Sequence, residues 1–326
     1  MKISLLIPVC NYDIIALVHS MKNAIGKVSE LQEILIGDDA SSSEFLEKYR
    51  SLEGGGVRII SSEKNIGRAA MRNKLAMEAA GDYLLFIDAD LALPQTAEAF
   101  LQKYIDKKSK AQVICGGIKY TESPPRDPDK LLRWKYGKWR EQRKASERNK
   151  RPYCDFSTFN VLIDKAVFSK IRFYEELKQY GHEDTLLSFQ LKNAGIGILH
   201  IDNNLIHEGI ESNREYLDKV KQSLENLSML YDRVTDKGEF SATLTTLRHY
   251  RILRSVRATL IFASFFIRYR ERMENKLETG NGSNWLFVLY RMSMFCTFRE
   301  IHARKKPRNN ILMINHINLN VKYKNM

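Results

Sequence analysis

The chain has 326 residues, of which 44% are hydrophobic and 10% are aromatic. That composition supports a large folded core and excludes a disordered polypeptide. The formal net charge of +13 is unevenly distributed, because residues 241–326 contain 16 Lys and Arg against 4 Asp and Glu. Residues 1–240 hold 36 basic and 35 acidic side chains. We therefore expect a catalytic or binding domain at 1–240 and a basic extension at 241–326.

The cysteines and the N-terminus indicate the compartment. Cys10, Cys115, Cys154 and Cys296 are far apart and form no metal-ligand spacing, so we expect free thiols in a reducing environment. The first apolar run is interrupted by Pro8 and is not followed by a small-residue cleavage site. We interpret that run as a strand rather than a signal peptide and expect a cytoplasmic protein.

Strand and helix patterns alternate along the first 90 residues. The predicted strands are at 3–9, 31–39, 56–62 and 82–90, and the predicted helices are at 12–25, 42–52 and 67–81. Ser42 is expected to begin the second helix with a capping interaction, and Gly81 is expected to end the third. This alternation predicts an α/β fold with a mostly parallel central sheet flanked by helices.

Acidic residues end two of the predicted strands. Asp38 and Asp39 follow one strand, and Asp88 and Asp90 follow another. Parallel strands place both pairs at the same edge of the sheet, where ligands bind in such folds. Ionised carboxylates are costly to desolvate unless cations or hydrogen-bond donors meet them. The alternatives are a solvated turn for the second pair and a helix cap near Ser42 for the first.

Residues 94–210 contain less regular patterns. A helix after residue 94 is predicted to lead into a strand at 111–120. Residues 123–151 hold three prolines and 11 basic against 4 acidic side chains, which indicates an excursion from the sheet, first a loop and then a helix. Trp134 and Trp139 in that excursion could stack on a sugar ring or be buried against the domain. A further helix is predicted at 183–194 and ends before Gly195.

Five segments in this order resemble the family 2 glycosyltransferases, which have the nucleotide-sugar-binding GT-A fold. The segments are SLLIPVCNY at 4–12, EILIGDDAS at 33–41, EKNIGRAAMRNKLAMEAAGDYLLFIDAD at 63–90, NVLIDKAVF at 160–168 and GHEDTLLSFQLKNAGIGI at 181–198. The resemblance covers about the first two-thirds of the chain and implies an α/β catalytic domain that binds a nucleotide-sugar.

The resemblance implies a role for several residues on the donor side. Pro8, Val9 and Asp39 would line the nucleobase pocket, with the Asp39 carboxylate accepting a hydrogen bond from the base. Arg72 would face the nucleotide, and Asp88 would lie near the ribose. These roles come from matching positions in the family motifs.

The resemblance also implies a metal ligand and a catalytic base. Asp90 would hold Mn²⁺ or Mg²⁺ on the donor diphosphate, and His207 matches a histidine that completes the metal site in some members. Asp184 matches the catalytic base, and Glu183 would shape the acceptor end. The chemistry agrees, because a hard cation neutralises a diphosphate leaving group and a carboxylate can accept the proton of an attacking hydroxyl. One base and in-line displacement imply inversion at the sugar carbon.

Two segments depart from the family pattern, and they bear on the acceptor and on the number of sugars added. Residues 171–176 read IRFYEE where the family commonly has GGFDE, and no QxxRW motif follows residue 184. We therefore expect a single-addition enzyme that acts on a glycan or lipid-linked acceptor in surface polysaccharide synthesis. The alternatives are a nucleotidyltransferase of related fold and a non-catalytic nucleotide-binding protein. An NAD-dependent enzyme is disfavoured because GxGxxG does not follow the first strand.

The basic extension suggests a surface partner. Arg251, Arg254 and Arg257 precede a mainly apolar run at 258–267, which is too short to span a bilayer. A second run lies at 285–298. Apolar helices flanked by arginine suit the surface of an anionic membrane, here the inner face of the cell membrane. The alternative is a helical subdomain packed on the core, and no nucleic-acid-binding module accompanies the charge.

Overall fold

The structure is a computed structural model that describes residues 1–177 and 180–305. The described residues form two compact units. Unit 1 comprises residues 1–123, 137–177 and 195–209, and unit 2 comprises residues 124–136, 180–194 and 210–305. The sequence-based boundary between residues 240 and 241 stays a prediction.

The strands and helices alternate along the first third of the chain, and helices dominate its end. The strands are β1 (Ile3–Val9), β2 (Leu31–Asp38), β3 (Val57–Ser61), β4 (Tyr83–Ile87), β5 (Leu91–Ala92), β6 (Val113–Cys115), β7 (Ile118–Lys119), β8 (Asn160–Asp164), β9 (Ile198–His200) and β10 (Leu205–His207). The helices are α1 (Ile15–Lys22), α2 (Ser43–Arg50), α3 (Arg68–Glu78), α4 (Ala97–Ile105), α5 (Leu131–Arg140), α6 (Ala145–Arg148), α7 (Lys165–Lys170), α8 (Glu183–Asn193), α9 (Asn213–Arg233), α10 (Lys237–Ala242), α11 (Thr245–Ser255), α12 (Thr259–Glu278) and α13 (Asn284–Lys305).

The central sheet of unit 1 has the strand order β3-β2-β1-β4-β8-β6-β9. β1 pairs in parallel with β2 and β4, and β2 pairs in parallel with β3. β8 is antiparallel to both of its neighbours. The predicted α/β fold with a mostly parallel sheet flanked by helices is therefore confirmed. Asp38 ends β2 and Asp88 follows β4, on either side of β1, so both lie at one edge of the sheet as expected.

The single strand predicted at 111–120 is wrong, because the chain turns between β6 and β7. Gly117 has φ +94°, which a glycine tolerates readily. A Cβ at Gly116 would lie 2.4 Å from the Tyr104 hydroxyl and from Asn160 Nδ2. The turn sends β7 into a second sheet with the order β5-β10-β7, in which β10 is antiparallel to β5 and parallel to β7.

One helix end and one helix cap also differ from the prediction. Helix α3 ends at Glu78 and not at Gly81. Gly81 instead allows a close backbone approach, because a Cβ there would lie 2.7 Å from the backbone nitrogen of Ser4. Ser42 precedes α2 but its side chain makes no capping hydrogen bond. The Asp38 carboxylate accepts from the backbone of Ser41, one residue before that position.

Unit 2 is helical, which confirms a helical C-terminal region over its described residues. Helix α9 begins with a capping box between Ser212 and Glu215. The interior includes Leu224, Phe287 and Phe295, which are fully buried. Among the residues that the structure describes, no helix is both long and apolar enough to cross a membrane.

Candidate functional site

Two side chains far apart in sequence meet at the small sheet of unit 1. Strand β5 directly follows Asp90 and pairs with β10, so that Leu91 lies opposite His207. This pairing places His207 Nε2 3.2 Å from Asp90 Oδ2, although the two residues are 117 positions apart. The backbone amide of Glu208 also donates to the Asp90 carbonyl at 3.0 Å. Strand pairing therefore builds a carboxylate–imidazole pair from Asp90 and His207.

The surroundings of Asp90 favour its ionised form. Burial raises the pKa of its carboxyl, but the hydrogen bond and charge of His207 and the charge of Arg68 outweigh burial, and the net pKa is lowered. Burial and the charges of Asp90 and Glu208 in turn raise the pKa of the Tyr12 phenol. The ionised form of Asp90 is therefore favoured, in part by the positive charge of Arg68.

The side chains of Asp90 and His207 could supply two of the ligands of a divalent cation. Among the described residues, no group of three His, Cys, Asp or Glu side chains is arranged to hold a metal. Asp90 and His207 offer one carboxylate and one imidazole, and their 3.2 Å separation is close to the ~3.0 Å between adjacent ligands of an octahedral ion with bonds of about 2.1 Å. The remaining positions would belong to water and to phosphate oxygens.

Gly209 and Tyr120 lie next to Asp90 and His207 and restrict the positions of these two side chains. A Cβ at Gly209 would lie 2.5 Å from Asp90 Cβ, so only glycine leaves the carboxylate in its place. The Tyr120 ring packs against the His207 imidazole with centroids 5.4 Å apart. His207 Nδ1 is buried and has no hydrogen-bond partner among the described residues. Packing by Tyr120, rather than a hydrogen bond to Nδ1, therefore orients this ring.

Arg72 and Asp88 form a partly buried ion pair beside the sheet edge. Arg72 Nη2 donates to Asp88 Oδ1 at 2.6 Å, and the Arg72 side chain is only 2% exposed. The guanidinium also lies over the Phe173 ring at 5.5 Å. Asp88 remains 25% exposed, so it is held on one side and open on the other. A direct contact between Arg72 and a nucleotide stays a prediction.

Asp39 organises the loop before α3. Its two carboxylate oxygens accept from the backbone amides of Ile66 and Gly67 at 2.7 and 2.9 Å. Its own amide donates to the carbonyl of Val9 at 2.9 Å, at the end of β1. Pro8 and Val9 thus lie beside Asp39 at the carboxyl edge. A carboxylate has about four acceptor sites, so Asp39 retains capacity for a further donor.

In unit 2, a strained turn precedes α8. Gly181 has φ +94°, and His182 has φ +72°, a left-handed conformation that is uncommon for a residue with a Cβ. A Cβ at Gly181 would lie 2.7 Å from Ser223 Oγ on α9, and the Gly181 carbonyl accepts from Asn226 Nδ2 at 2.7 Å. Contacts with α9 therefore hold the turn that sets the first turn of α8, where Glu183 and Asp184 lie.

A hydrogen-bonded chain leads from His182 to Asp184. The amide and hydroxyl of Thr185 donate to Asp184 Oδ1 at 2.6 and 3.3 Å. His182 Nδ1 lies 3.1 Å from Thr185 Oγ1. Burial and the charge of Arg291 lower the pKa of His182 to about 3, so the ring is neutral at physiological pH. If the hydroxyl donates to Asp184, His182 must donate through Nδ1–H, which fixes its tautomer.

The two tryptophans of α5 differ in exposure. Trp139 is 44% exposed, and Trp134 is half-buried. The alternative in which both tryptophans are buried is therefore wrong for Trp139. Stacking of either ring on a sugar stays a prediction.

Sequence reasoning missed Tyr12, Arg68, Thr185 and Gly209. Each lies within or beside a segment that the sequence analysis singled out. Tyr12 ends the first segment, Arg68 lies in the third, Thr185 follows Asp184 and Gly209 follows His207 by two residues. Their position within or beside these segments was the one feature of the sequence that could have indicated a role in the site. Their contacts depend on strand pairing and helix packing, which the sequence pattern does not reveal.

Comparison with known proteins gives a family and a fold. The model of the family described as Glycosyl transferase family 2 matches residues 4–172, slightly more than half of the chain. No curated protein sequence matches the chain. The structure is similar to that of the mannosyltransferase PcManGT from Pyrobaculum calidifontis in complex with GDP-Man and Mn²⁺, with a TM-score of 0.54 and 10% identity over 93% of this chain and 87% of that one. At this identity the likeness shows the fold alone.

Two further solved structures are similar at lower scores. S. aureus TarS has a TM-score of 0.49 and 17% identity over 92% of this chain, and this chain spans only 55% of the TarS chain. Glucosyl-3-phosphoglycerate synthase from Mycobacterium tuberculosis, in complex with Mn²⁺, UDP and glucosyl-3-phosphoglycerate, has a TM-score of 0.49 and 17% identity over 73% of this chain and 82% of that one.

Proposed function

Because the chain belongs to glycosyl transferase family 2, we propose that it moves one sugar from a UDP-sugar to a hydroxyl group of a glycan or lipid-linked acceptor in surface polysaccharide synthesis. The observation that carries this proposal is the pair formed by Asp90 and His207, 3.2 Å apart. A carboxylate and an imidazole in this arrangement suit a cation that binds a nucleoside diphosphate.

Asp90 and His207 would hold Mn²⁺ or Mg²⁺. The cation would supply neutralisation of the charge that accumulates on the diphosphate leaving group. The imidazole nitrogen favours Mn²⁺, since Mg²⁺ prefers oxygen ligands. The mannosyltransferase PcManGT, whose fold is similar, is described in complex with GDP-Man and Mn²⁺, which supports a metal and a nucleotide-sugar here.

The carboxyl edge of the central sheet is the proposed donor site. Ligands of open α/β sheets bind outside the carboxyl ends of the strands. Pro8, Val9 and Asp39 are proposed to bind the nucleobase, and Asp88 the ribose. Arg72 holds Asp88 from inside the protein, at 2.6 Å. The guanidinium of Arg72 therefore fixes the direction in which the Asp88 carboxylate presents its remaining acceptor sites.

Arg68 is the further residue that we assign to the donor. It is exposed at the start of α3, and its charge lowers the pKa of Asp90. A guanidinium near a cation-binding carboxylate is suited to a diphosphate oxygen, with which it forms charge-assisted hydrogen bonds.

Asp184 is the proposed general base, and Glu183 is proposed to shape the acceptor end. Asp184 lies in the first turn of α8, where the helix dipole stabilises a carboxylate. Asp184 would accept the proton of the acceptor hydroxyl while its oxygen forms a bond to the anomeric carbon. The bond from that carbon to the diphosphate breaks in the same displacement, and the nucleoside diphosphate leaves with the electron pair. One displacement inverts the configuration at the sugar carbon.

The proposed acceptor contacts are the two tryptophans of α5. Trp134 and Trp139 are proposed acceptor contacts, because an aromatic face can stack on a sugar ring. Trp139 is 44% exposed and is open to a ligand. We propose transfer of one sugar per acceptor, since no QxxRW motif follows residue 184.

Donor hydrolysis tests the proposal. The wild type, Asp90→Ala, Asp184→Asn and the control Asp106→Ala would be incubated with UDP-, GDP- and TDP-sugars and Mn²⁺. We expect slow hydrolysis of a UDP-sugar that EDTA and Asp90→Ala abolish, that Asp184→Asn reduces and that Asp106→Ala leaves intact. The donor-site assignment is overturned if the wild type neither hydrolyses a donor nor binds a nucleotide in the presence of Mn²⁺. Pyrophosphate release from a nucleoside triphosphate would instead identify a nucleotidyltransferase.

A further inference from the structure

The strongest unexplained feature of unit 2 is the positive charge of α11 and the first half of α12. Residues 240–270 contain six arginines and neither aspartate nor glutamate. Arg270 is paired with Glu274 at 2.9 Å, and the other five arginines have no acidic side chain within this stretch of 31 residues. The proposed donor chemistry uses none of these residues, so they require a separate explanation.

Large aliphatic side chains are exposed between these arginines. Ile252, Val256, Leu260, Ile261 and Ile267 are 61%, 66%, 52%, 69% and 73% exposed, respectively. Each leaves more than half of its surface in water, although side chains of this type are usually buried. We call these five residues, together with the exposed Arg248, Arg257 and Arg268, the arginine–aliphatic surface.

The arginine–aliphatic surface is arranged along the exposed faces of two consecutive helices. Ile252 and Val256 are four residues apart and therefore neighbours across α11 and its end. On α12, Ile261 and Arg268 are seven residues, or about two turns, apart and lie on one face. Arg248, four residues before Ile252, lies on the same face of α11, so each helix presents aliphatic and cationic side chains on one exposed face.

The opposite face of α12 already supplies the packing of unit 2. Ala263, Phe266 and Met273 are buried on that face. The Phe266 ring lies 5.6 Å from the Tyr290 ring on α13. The exposed aliphatic residues are therefore not required by the helical core, and an external partner would bury them.

We propose that the arginine–aliphatic surface docks on the anionic surface of a phospholipid bilayer. The aliphatic side chains would enter the boundary between headgroups and acyl chains, while the arginines bind lipid phosphates. The described helices are not suited to span a bilayer, so the mode is docking on one leaflet.

The charge distribution disfavours the other occupants. A two-fold interface with a second copy would place this surface against itself, and residues 240–270 offer no carboxylate to pair with its arginines. A nucleic acid would satisfy the arginines but would leave the aliphatic side chains in water. A lipid surface satisfies both.

Vesicle flotation of the full chain tests the proposal. The vesicles would be phosphatidylcholine alone or a mixture with about 30% phosphatidylglycerol, an anionic lipid. The variants are Ile261→Ser/Ile267→Ser and Arg248→Gln/Arg257→Gln/Arg268→Gln. The matched control, Arg50→Gln/Lys64→Gln/Lys110→Gln, removes three exposed charges from unit 1. Thermal melting verifies that each variant is folded.

We expect the wild type and the control to float with anionic vesicles, and to float weakly with neutral ones. The triple arginine variant should bind at least ~10-fold more weakly, because each arginine contributes about fivefold near an anionic surface. The double isoleucine variant should also bind at least ~10-fold more weakly. Added salt should weaken wild-type binding.

Several results would overturn docking. These are a wild type that stays with the unbound fraction, equal binding by the arginine variant and the unit 1 control, or full binding by the isoleucine variant. Sedimentation showing a dimer that the isoleucine variant abolishes, without vesicle binding, would assign the surface to a second copy. Flotation needs no substrate, so its outcome is independent of the donor hydrolysis that tests the proposed function.

Discussion

Arg72 donates to Asp88 at 2.6 Å from a side chain that is 2% exposed, so these two residues act on each other before either meets a ligand. The sequence pattern treats them as two separate contacts to the nucleotide. In the structure, the guanidinium lies between Asp88 and the Phe173 ring. Arg72 therefore positions Asp88 at the sheet edge.

A double-mutant cycle measures this coupling. We expect Asp88→Ala to lower the free energy of unfolding by about 3 kcal/mol, since it removes the carboxylate from a buried charge. Arg72→Met removes that charge while it keeps the length of the side chain. The double variant should be more stable than the sum of the two single effects predicts, as urea unfolding would reveal. Strictly additive effects would contradict the pairing.

Gly209 is predicted to be required for the cation pair. A methyl group at Gly209 would lie 2.5 Å from Asp90 Cβ and would displace the carboxylate from His207. We expect Gly209→Ala to lower Mn²⁺-dependent activity at least ~10-fold, because a small displacement in a site can cost up to a hundredfold. Gly197→Ala is the matched control, since a Cβ there meets nothing within 4 Å. Equal Mn²⁺ titration curves for both variants would count against the site.

The hydroxyl of Thr185 is predicted to support Asp184. Thr185→Val keeps the shape of the side chain and the amide hydrogen bond but removes the hydroxyl that lies 3.3 Å from Asp184 and 3.1 Å from His182. We expect kcat to fall about fivefold, the equivalent of one hydrogen bond of about 1 kcal/mol, with the donor KM unchanged. Thr185→Ser should restore kcat. A change in donor KM alone would refute this role.

Arg68 is predicted to bind the donor diphosphate. Titration calorimetry of Arg68→Ala should show binding of UDP weakened by at least ~10-fold, because a hydrogen bond to a charged group contributes about 1.5–3 kcal/mol. Binding of uridine, which has no phosphate, should be unaffected. Arg50→Ala, which removes an exposed arginine from α2, serves as the control. Equal losses for UDP and uridine would indicate a structural effect instead.

His200 is predicted to make the fold less stable in acid. Burial lowers the pKa of His200 to about 4, against 6.5 for the free side chain. Arg148 donates to Nδ1 at 2.8 Å, and Nε2 donates to the Pro152 carbonyl at 2.9 Å, so the ring is neutral. Between pH 6.5 and about 4 the unfolded chain binds the extra proton. The free energy of unfolding should therefore decrease by about 1.4 kcal/mol per pH unit as the pH falls through this range.

Denaturant unfolding at several pH values checks this contribution. His200→Gln should lower stability at pH 7 but flatten the dependence on pH below 6.5. His19→Gln, at an exposed position on α1, should leave the slope of the wild type unchanged. Parallel curves for His200→Gln and the wild type would refute the assignment.

Local patterns were sufficient for the elements of the fold and for the acids at the strand ends. Apolar runs and helical spacing depend on neighbouring residues, so β1 to β4, α8 and the position of Asp38 and Asp88 at one edge followed from the sequence. The same reasoning failed between residues 111 and 120. There, the contacts of Gly116 with Tyr104 and Asn160 require a turn that no local period reveals.

The partner of each site residue was decided by tertiary contacts. Asp90 meets His207 only because β5 pairs with β10 across 117 residues, and Arg72 turns inward only because Phe173 and Asp88 lie beside it. Asp39 binds the loop before α3 for a similar reason. Side-chain chemistry can be read from residue types. Which side chains share a hydrogen bond depends on long-range strand register and packing, which the folded chain alone specifies.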